Sequence, residues 1–315
     1  MNLHTKISIK KELSNPIDYH SKILLLGSCF SENIGNKFAY YKFQTIQNPL
    51  GILFHPKAIE NLIRKAIHKK EFSENDFFFQ NEQWHSFEAH SSVSTSNKNE
   101  LLTNLNSAVE KTKEQLKAAT HIIITLGTSW VYTHLEKNVI VANCHKTPQK
   151  QFSKKLLTVD EITESLTTII TNIKSINTKA TILFTVSPVR HLKDGFIENT
   201  QSKAHLITAI HKTIKKSNAS YFPSYELMMD ELRDYRFYKE DMIHPNATAI
   251  NYIWGKFIDS WVLDTAKSTM QEVASIQKGM AHKPFYKESE KHLQFLKVLE
   301  EKKQHIKKEF PKMTF

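Results

Sequence analysis

The sequence predicts a three-layer α/β/α protein, a central and mostly parallel sheet covered by helices on both faces, with a C-terminal helical extension. Three observations predict it. Apolar runs such as KILLLGSCF and TILFTVSPV are too continuous for strands with one wet face, so they belong in a sheet buried on both sides. Stretches of helical period alternate with those runs, as crossover connections between parallel strands require. Beyond Thr265 the composition shifts to Lys, Glu and Gln with leucines at helical spacing, which places a boundary there: residues 1–265 as the α/β domain and 266–315 as a basic helical extension.

The elements follow in order. KILLLGSCF is the first strand and its exit turn, and Phe30 to Tyr41 is helical. An irregular NPLG at Asn48 to Gly51 precedes a second helix from near Pro56. Glu100 to Ala118 is an amphipathic helix leading into a buried strand at Ile122 to Thr125. The alternation around Val131 and NVIVAN at Asn138 to Asn143 forms a hairpin on the charged turn LEKN. A helix over Val159 to Ile176 precedes TILFTVSPV, and another over Asn199 to Lys216 precedes YFPSYEL. Pro245 is placed to open a helix reaching about Leu263, proline being suited to a first helical turn. In the extension, Leu293, Leu296 and Leu299 share a helical period that would pack on the α/β domain or on a partner, so the extension could support an oligomer.

With 315 residues and 40% hydrophobic content, the chain can bury a substantial core. The net charge is +11, and much of the excess is local: Ala266 to Phe315 carries 11 Lys against 6 acidic residues, as a solvated helical face would. No recognised nucleic-acid module accompanies that charge, which argues against a nucleic-acid partner. The N-terminal stretch has no signal-peptide core, and nowhere is an apolar run long enough to span a bilayer. A cytoplasmic protein is therefore expected. Two cysteines, Cys29 and Cys144, make no disulfide framework and fit a reducing compartment.

In an open parallel sheet, ligands bind beyond the carboxyl ends of the strands. The chemistry-bearing residues fall at those ends: Ser28 and Cys29 after the first strand, Gly127 to Ser129 after a later one, Arg190 and His191 after TVSPV, and Asp241 and His244 in the last loop. Asp241 and His244 form D-x-x-H, a spacing that lets the carboxylate hold Nδ1 of the imidazole and leaves Nε2 free to take a proton from a nucleophile. The same spacing also suits a helix cap with a histidine packed beside it. Either Cys29 or Ser28 could be the nucleophile. A thiol at a helix N-terminus near an imidazole would have its pKa lowered.

The stretches ILLLGSCF, NPLG, WHS, TLGTSWVY, NCHK, SPVRH, SKAHL, YFPSYE, LRDYRFY and DMIHP together resemble the GSCFA family over about Ile23 to Phe257. That family is similar to the SGNH or GDSL hydrolases, an α/β/α fold, flavodoxin-like in its layers, of esterases, lipases and carbohydrate deacylases. The resemblance implies an acyl hydrolase or acyltransferase acting on an acylated, small-molecule or glycan substrate, with no cofactor. Cys29 falls on the nucleophile's place and Ser28 on that of an aspartate, while Asp241 and His244 match the last block unaltered. The Gly51 amide and Ser129, the latter where an asparagine is expected, would bind the oxyanion. A cleft of the same shape that has lost catalysis and only binds a glycan or acylated ligand is the alternative.

Other residues are set against blander roles. Asn48, His85, Trp130, Arg190 and His191 are candidate substrate contacts, with His85 equally an interior loop histidine and Arg190 equally a partner of Asp194. RDYRFY is expected to support the loop that carries Asp241 and His244. Cys144 and His145 lack the short-range spacing of a zinc site, so no metal is expected, and Cys144 reads as a buried thiol.

Overall fold

The computed structural model describes residues 5–315; the first four residues of the N-terminal stretch lie outside it. The chain runs β1 (Lys22–Gly27), α1 (Cys29–Tyr40), β2 (Gln44–Gln47), α2 (Pro56–Ile67), β3 (Phe77–Gln80), β4 (Gln83–Ser86), α3 (Lys98–Ala118) and β5 (His121–Leu126). It continues with β6 (Trp130–His134), β7 (Val139–Val141), β8 (Phe152–Leu156), α4 (Val159–Ile176), β9 (Thr181–Val186), α5 (Phe196–Ile214) and β10 (Ser220–Phe222). A short α6 (Ser224–Glu226) passes into a π turn, Leu227–Glu231, before α7 (Ala247–Trp261), α8 (Asp264–Ala281) and α9 (Glu290–Glu309). Among the described residues no helix is long and apolar enough to cross a membrane.

Five strands form one parallel sheet in the order β10-β9-β5-β1-β2. Chain order reverses between β1 and β5, so this doubly wound sheet has its topological switch point there, where the two crossover directions leave a crevice. The side-chain alternation explains the continuous apolar runs. Leu24, Leu26, Ile122, Ile124, Ile182 and Phe184 join the apolar layer built with α2 to α5, whereas Ile23, Leu25, Ile123 and Leu183 join the layer built with α1 and α7. With a period of two and both faces covered, the central positions of these strands are apolar at both phases.

Helix starts follow local chemistry. Ser28 caps α1, His55 caps α2 ahead of Pro56, and Thr158 with Glu161 forms a reciprocal capping box on α4. At α7 the sequence expectation is corrected. Asn246 is the cap, its Oδ1 accepting from Ala249 N at 3.1 Å, and Pro245 lies one residue before it, bridged in antiparallel fashion to Tyr238. Asparagine supplies the acceptor that the first turn of the helix requires, and proline cannot.

Two smaller sheets sit beside the carboxyl ends of the main strands: the hairpin β3-β4 and the antiparallel flap β7-β6-β8. The expected hairpin around LEKN is the β6-β7 pair, turning at Asn138 with φ of +49°. At the C-terminus, Met270, Val273, Ile276, Leu299, Ile306 and Met313 extend the apolar layer of α1 and α7. Of the three leucines expected to pack together, Leu299 is buried, while Leu293 and Leu296 face solvent.

Candidate active site

The turn after β1 is built by backbone contact across the switch point. Gly27 has φ of +140°, its N donates to Asn48 Oδ1 at 2.9 Å, and its carbonyl accepts from Leu53 N at 3.1 Å. Ser28 N donates to Thr125 O at 3.1 Å, so the tip of β1 is stitched to β5. Ser28 is only 1% exposed and its Oγ accepts from Phe30 N at 3.3 Å as the helix cap. Cys29, one residue on, is partly exposed, with its thiol facing the N–H groups of Cys29 and Phe30 in the first turn of α1. The helix terminus therefore favours the thiolate, but burial and the nearby Glu32 carboxylate outweigh it, and the thiol is pushed up rather than down. This corrects the expectation of a lowered thiol pKa.

The last loop carries the expected acid and base. Nδ1 of His244 and Oδ2 of Asp241 are 2.7 Å apart, and Oδ1 of the same carboxylate accepts from the backbone N–H of Ile243 at 2.8 Å and of His244 at 2.9 Å. Those three hydrogen bonds hold the Asp241 carboxyl down at about 2, so it stays ionised and can fix one imidazole tautomer throughout the physiological range. Both side chains are partly open to solvent. The loop is anchored to the exit of β9 by Arg190 N donating to Ile243 O at 3.2 Å. The RDYRFY stretch braces it, since Asn246 Nδ2 donates to Arg236 O at 2.7 Å and Asn246 N to Phe237 O at 2.9 Å.

His191 and Lys203 sit at the exits of β5 and β9. Nε2 of His191 sits close to Gly127, is buried and has no protein partner; burial, with Lys203 and His244 nearby, lowers its pKa to about 3, so the ring is neutral. Lys203, 1% exposed, donates from Nζ to Gly127 O at 2.6 Å and to Ser187 O at 2.7 Å, the carbonyls just past β5 and β9. No hydrogen bond joins Cys29 to the His244 ring among the described residues.

Both expected oxyanion donors are engaged elsewhere. Gly51 N donates to Asn48 O at 2.8 Å, closing a turn in which Gly51 has φ of +74°. Ser129 is fully buried: its N donates to Ser202 Oγ at 2.7 Å and its Oγ to Ser202 O at 3.1 Å, because α5 packs its Ser202 into this loop. The amides of Gly127 and Thr128 are likewise taken by Phe54 O. What remains is the side-chain amide of Asn48, whose Nδ2 is buried without a partner while its Oδ1 is fixed on Gly27 N.

His191 also lines a cleft of about 550 Å³ beneath the flap, with Trp130, Tyr132, His85, Cys144, His145 and Lys193 among its walls. Trp130 is held by its Nε1 donating to Glu198 O at 3.1 Å and carries Lys154 Nζ over its ring at 4.3 Å. His85 is the interior histidine of its hairpin, Nδ1 lying 2.6 Å from Ser94 Oγ and Nε2 3.0 Å from Gln80 O, so neither nitrogen is free for a ligand. Arg190 stacks on Tyr238 at 4.4 Å and borders a separate surface pocket, while Asp194 pairs with Lys154 at 2.7 Å and not with Arg190. Cys144, expected as a buried thiol, is partly exposed in the cleft. No group of three or more His, Cys, Asp or Glu side chains is arranged to hold a metal among the described residues.

The GSCFA family model matches residues 22–257, which includes every residue of this site. This chain belongs to the GSCFA family. A second match, to the GSCFA domain protein C-terminal domain, covers residues 273–315 of this GSCFA protein, that is the second half of α8 and all of α9. No curated protein matches it. Among solved structures it is similar to a carbohydrate esterase family 3 protein from Talaromyces cellulolyticus, at 9% identity and a TM-score of 0.35, covering 81% of this chain and 99% of that one. It is also similar to the acetyl xylan esterase Est2A from the rumen bacterium Butyrivibrio proteoclasticus, at 11% identity and a TM-score of 0.37, covering 78% of this chain and 64% of that one. Similarity of this degree does not bear on the chemistry of the site.

Proposed function

We propose that this GSCFA protein is an acyl hydrolase or acyltransferase acting on a small-molecule or glycan ester, with Cys29 as nucleophile and His244, oriented by Asp241, as base. The observation that carries the reading is the Asp241 to His244 contact of 2.7 Å on a loop tied to the β9 exit, in a fold whose β1 turn ends in a thiol. Ser28 is the weaker nucleophile candidate because its oxygen caps α1. Nε2 of His244 takes the proton from Cys29 Sγ, and the thiolate adds to the ester carbonyl. The alcohol leaves with the proton from His244, and the resulting thioester passes its acyl group to water or to an acceptor hydroxyl or amine. Catalytic hydrogen bonds are often unformed without substrate, so the absence of a Cys29 to His244 bond is compatible with this order of events.

Asn48 Nδ2 and the backbone amide of Cys29 take the oxyanion role in place of Gly51 and Ser129. Asn48→Ala should lower kcat by roughly 10²-fold, the scale of losing one oxyanion donor. Stability should fall by about 1 kcal/mol, because Gly27 N loses its acceptor. If kcat holds while only stability falls, Asn48 is a structural anchor.

The engagement of both expected oxyanion donors favours a second reading, a cleft that binds an acylated or glycan ligand without turnover. A panel of chromogenic acetate esters and acyl thioesters, assayed with the parent and His244→Ala, separates the two. Turnover in the parent that falls at least a hundredfold in His244→Ala supports the hydrolase. An inert parent that binds the same ligands leaves the binding reading.

A further inference from the structure

We propose that the tip of the hairpin formed by α8 and α9 is a membrane-surface anchor that seats its apolar side chains among anionic lipid headgroups. The two helices pack antiparallel: a Cβ at Gly279 would meet Leu299, and Lys302 Nζ donates to Ser275 Oγ at 3.2 Å. The base of the hairpin is fixed to the α/β domain by Ile276, Leu299 and Ile306 in its apolar layer and by Gln277 Nε2 donating to Tyr40 O at 2.9 Å. Beyond that base the packing stops. No residue from 277 to 298 is buried, yet seven of the 18 exposed large apolar side chains described lie between Met280 and Val298. Phe285, fully exposed, and Tyr286 stand in the connecting loop, and Leu293, Phe295, Leu296 and Val298 follow on α9. An apolar concentration of this kind marks a surface that something covers.

Geometry and charge identify the cover. At about 100° per residue, Leu293 and Leu296 fall on one side of the buried line through Leu299 and Ile306, and Phe295 and Val298 fall on the other. A protein seated on one flank would leave the other exposed, whereas a lipid interface surrounds the whole tip. The same segment carries Lys278, Lys283, Lys287, Lys291 and Lys297 against Glu288 and Glu290. All five lysines are exposed and none pairs with a carboxylate among the described residues, unlike Lys267 and Lys303 on the same two helices. In a twofold pair of tips these lysines would meet their own copies, so like charges oppose a second chain as the occupant. Anionic headgroups suit them. Lysine stems lie along an apolar boundary while the ammonium groups reach the phosphates, and aromatic rings such as those of Phe285 and Tyr286 sit at that boundary.

The test is flotation of the full-length chain with vesicles of phosphatidylcholine alone and of phosphatidylcholine with about a quarter phosphatidylserine. The parent should float with the anionic vesicles and stay in solution with the neutral ones. Phe285→Ser combined with Leu293→Ser should lower partitioning by at least roughly tenfold with Tm unchanged, because both side chains are exposed. In Phe285→Trp, the emission of the added indole, read as a difference from the parent, should move to the blue on anionic vesicles. Three flotation results overturn the proposal: a parent that stays in solution with the anionic vesicles, equally tight binding to the neutral ones, or binding that the serine pair leaves unchanged. A bound Phe285→Trp whose emission does not move places the contact elsewhere and overturns it too. A dimer that sedimentation finds in the parent and not in the serine pair, without flotation, gives the tip to a second copy instead. Flotation needs no ester turnover, so its outcome and that of the hydrolase reading are read separately.

Discussion

Replacing Cys29 by alanine is expected to lower ester and thioester turnover by at least roughly 10³-fold, because the acyl carrier is removed while the Asp241 and His244 pair stays intact. Fold stability should fall by only about 1 kcal/mol, since Cys29 is partly buried against the apolar layer of α1 and α7 and loses one sulfur atom. Ser28→Ala makes the contrast. It removes the α1 cap at a cost of about 1 kcal/mol and should keep most of the turnover. The pH profile has a definite sign. A thiol whose pKa is raised by burial and by Glu32 is mostly protonated near neutrality, so the thiolate fraction and kcat/KM should climb as pH rises through the alkaline limb. Glu32→Gln removes one of the groups that raise it, and should move that limb to lower pH. If Ser28→Ala abolishes turnover and Cys29→Ala does not, the nucleophile is the serine.

The parallel sheet is legible in the sequence because its central strands are buried on both faces, so Leu24 to Leu26 and Ile122 to Ile124 admit no polar residue at either phase. The last loop is legible because Asp241 and His244 are near neighbours in the chain, and their contact depends on local turn geometry alone. Gly51 and Ser129 are different. Whether an amide or hydroxyl is free depends on partners distant in the chain or on the turn it closes, here Ser202 on α5 and the carbonyl of Asn48. Residue type at a motif position carries no such information. Lys203 is the buried charge at the β5 and β9 exits that sequence reasoning missed, although it stands inside the quoted SKAHL stretch. A signal existed: Asn199, Lys203, Leu206 and Ile210 recur at intervals of three and four on the buried face of α5, and a lysine on that face needs a reason to be there. The direction of the Cys29 shift was not legible, because helix position is visible in the chain but burial is not.

Gly27→Ala is expected to be the most damaging single-methyl change in the molecule. A Cβ there would lie 2.1 Å from Thr125 O, a backbone atom of the neighbouring strand that cannot rotate away, and the residue would be held at φ of +140°. The clash alone costs of order 1–3 kcal/mol, and the strained backbone a similar amount. The total is a large share of the 5–15 kcal/mol by which a domain is ordinarily stable. Thermal unfolding should show a Tm lower by roughly 5–10 °C. Any folded fraction should also lose activity, because relieving the contact pushes the tip of β1 off β5 and carries Ser28 and Cys29 with it. Gly255 provides the opposite sign. In the interior of α7 a Cβ at this position meets nothing within 4 Å, so Gly255→Ala should raise stability by about 0.5–1 kcal/mol through helix propensity alone. A Gly27→Ala variant with the parent's Tm would mean that β1 and β5 can separate at little cost. The switch point would then be too soft to hold the Cys29 thiol in a fixed position relative to Lys203 and the His244 loop.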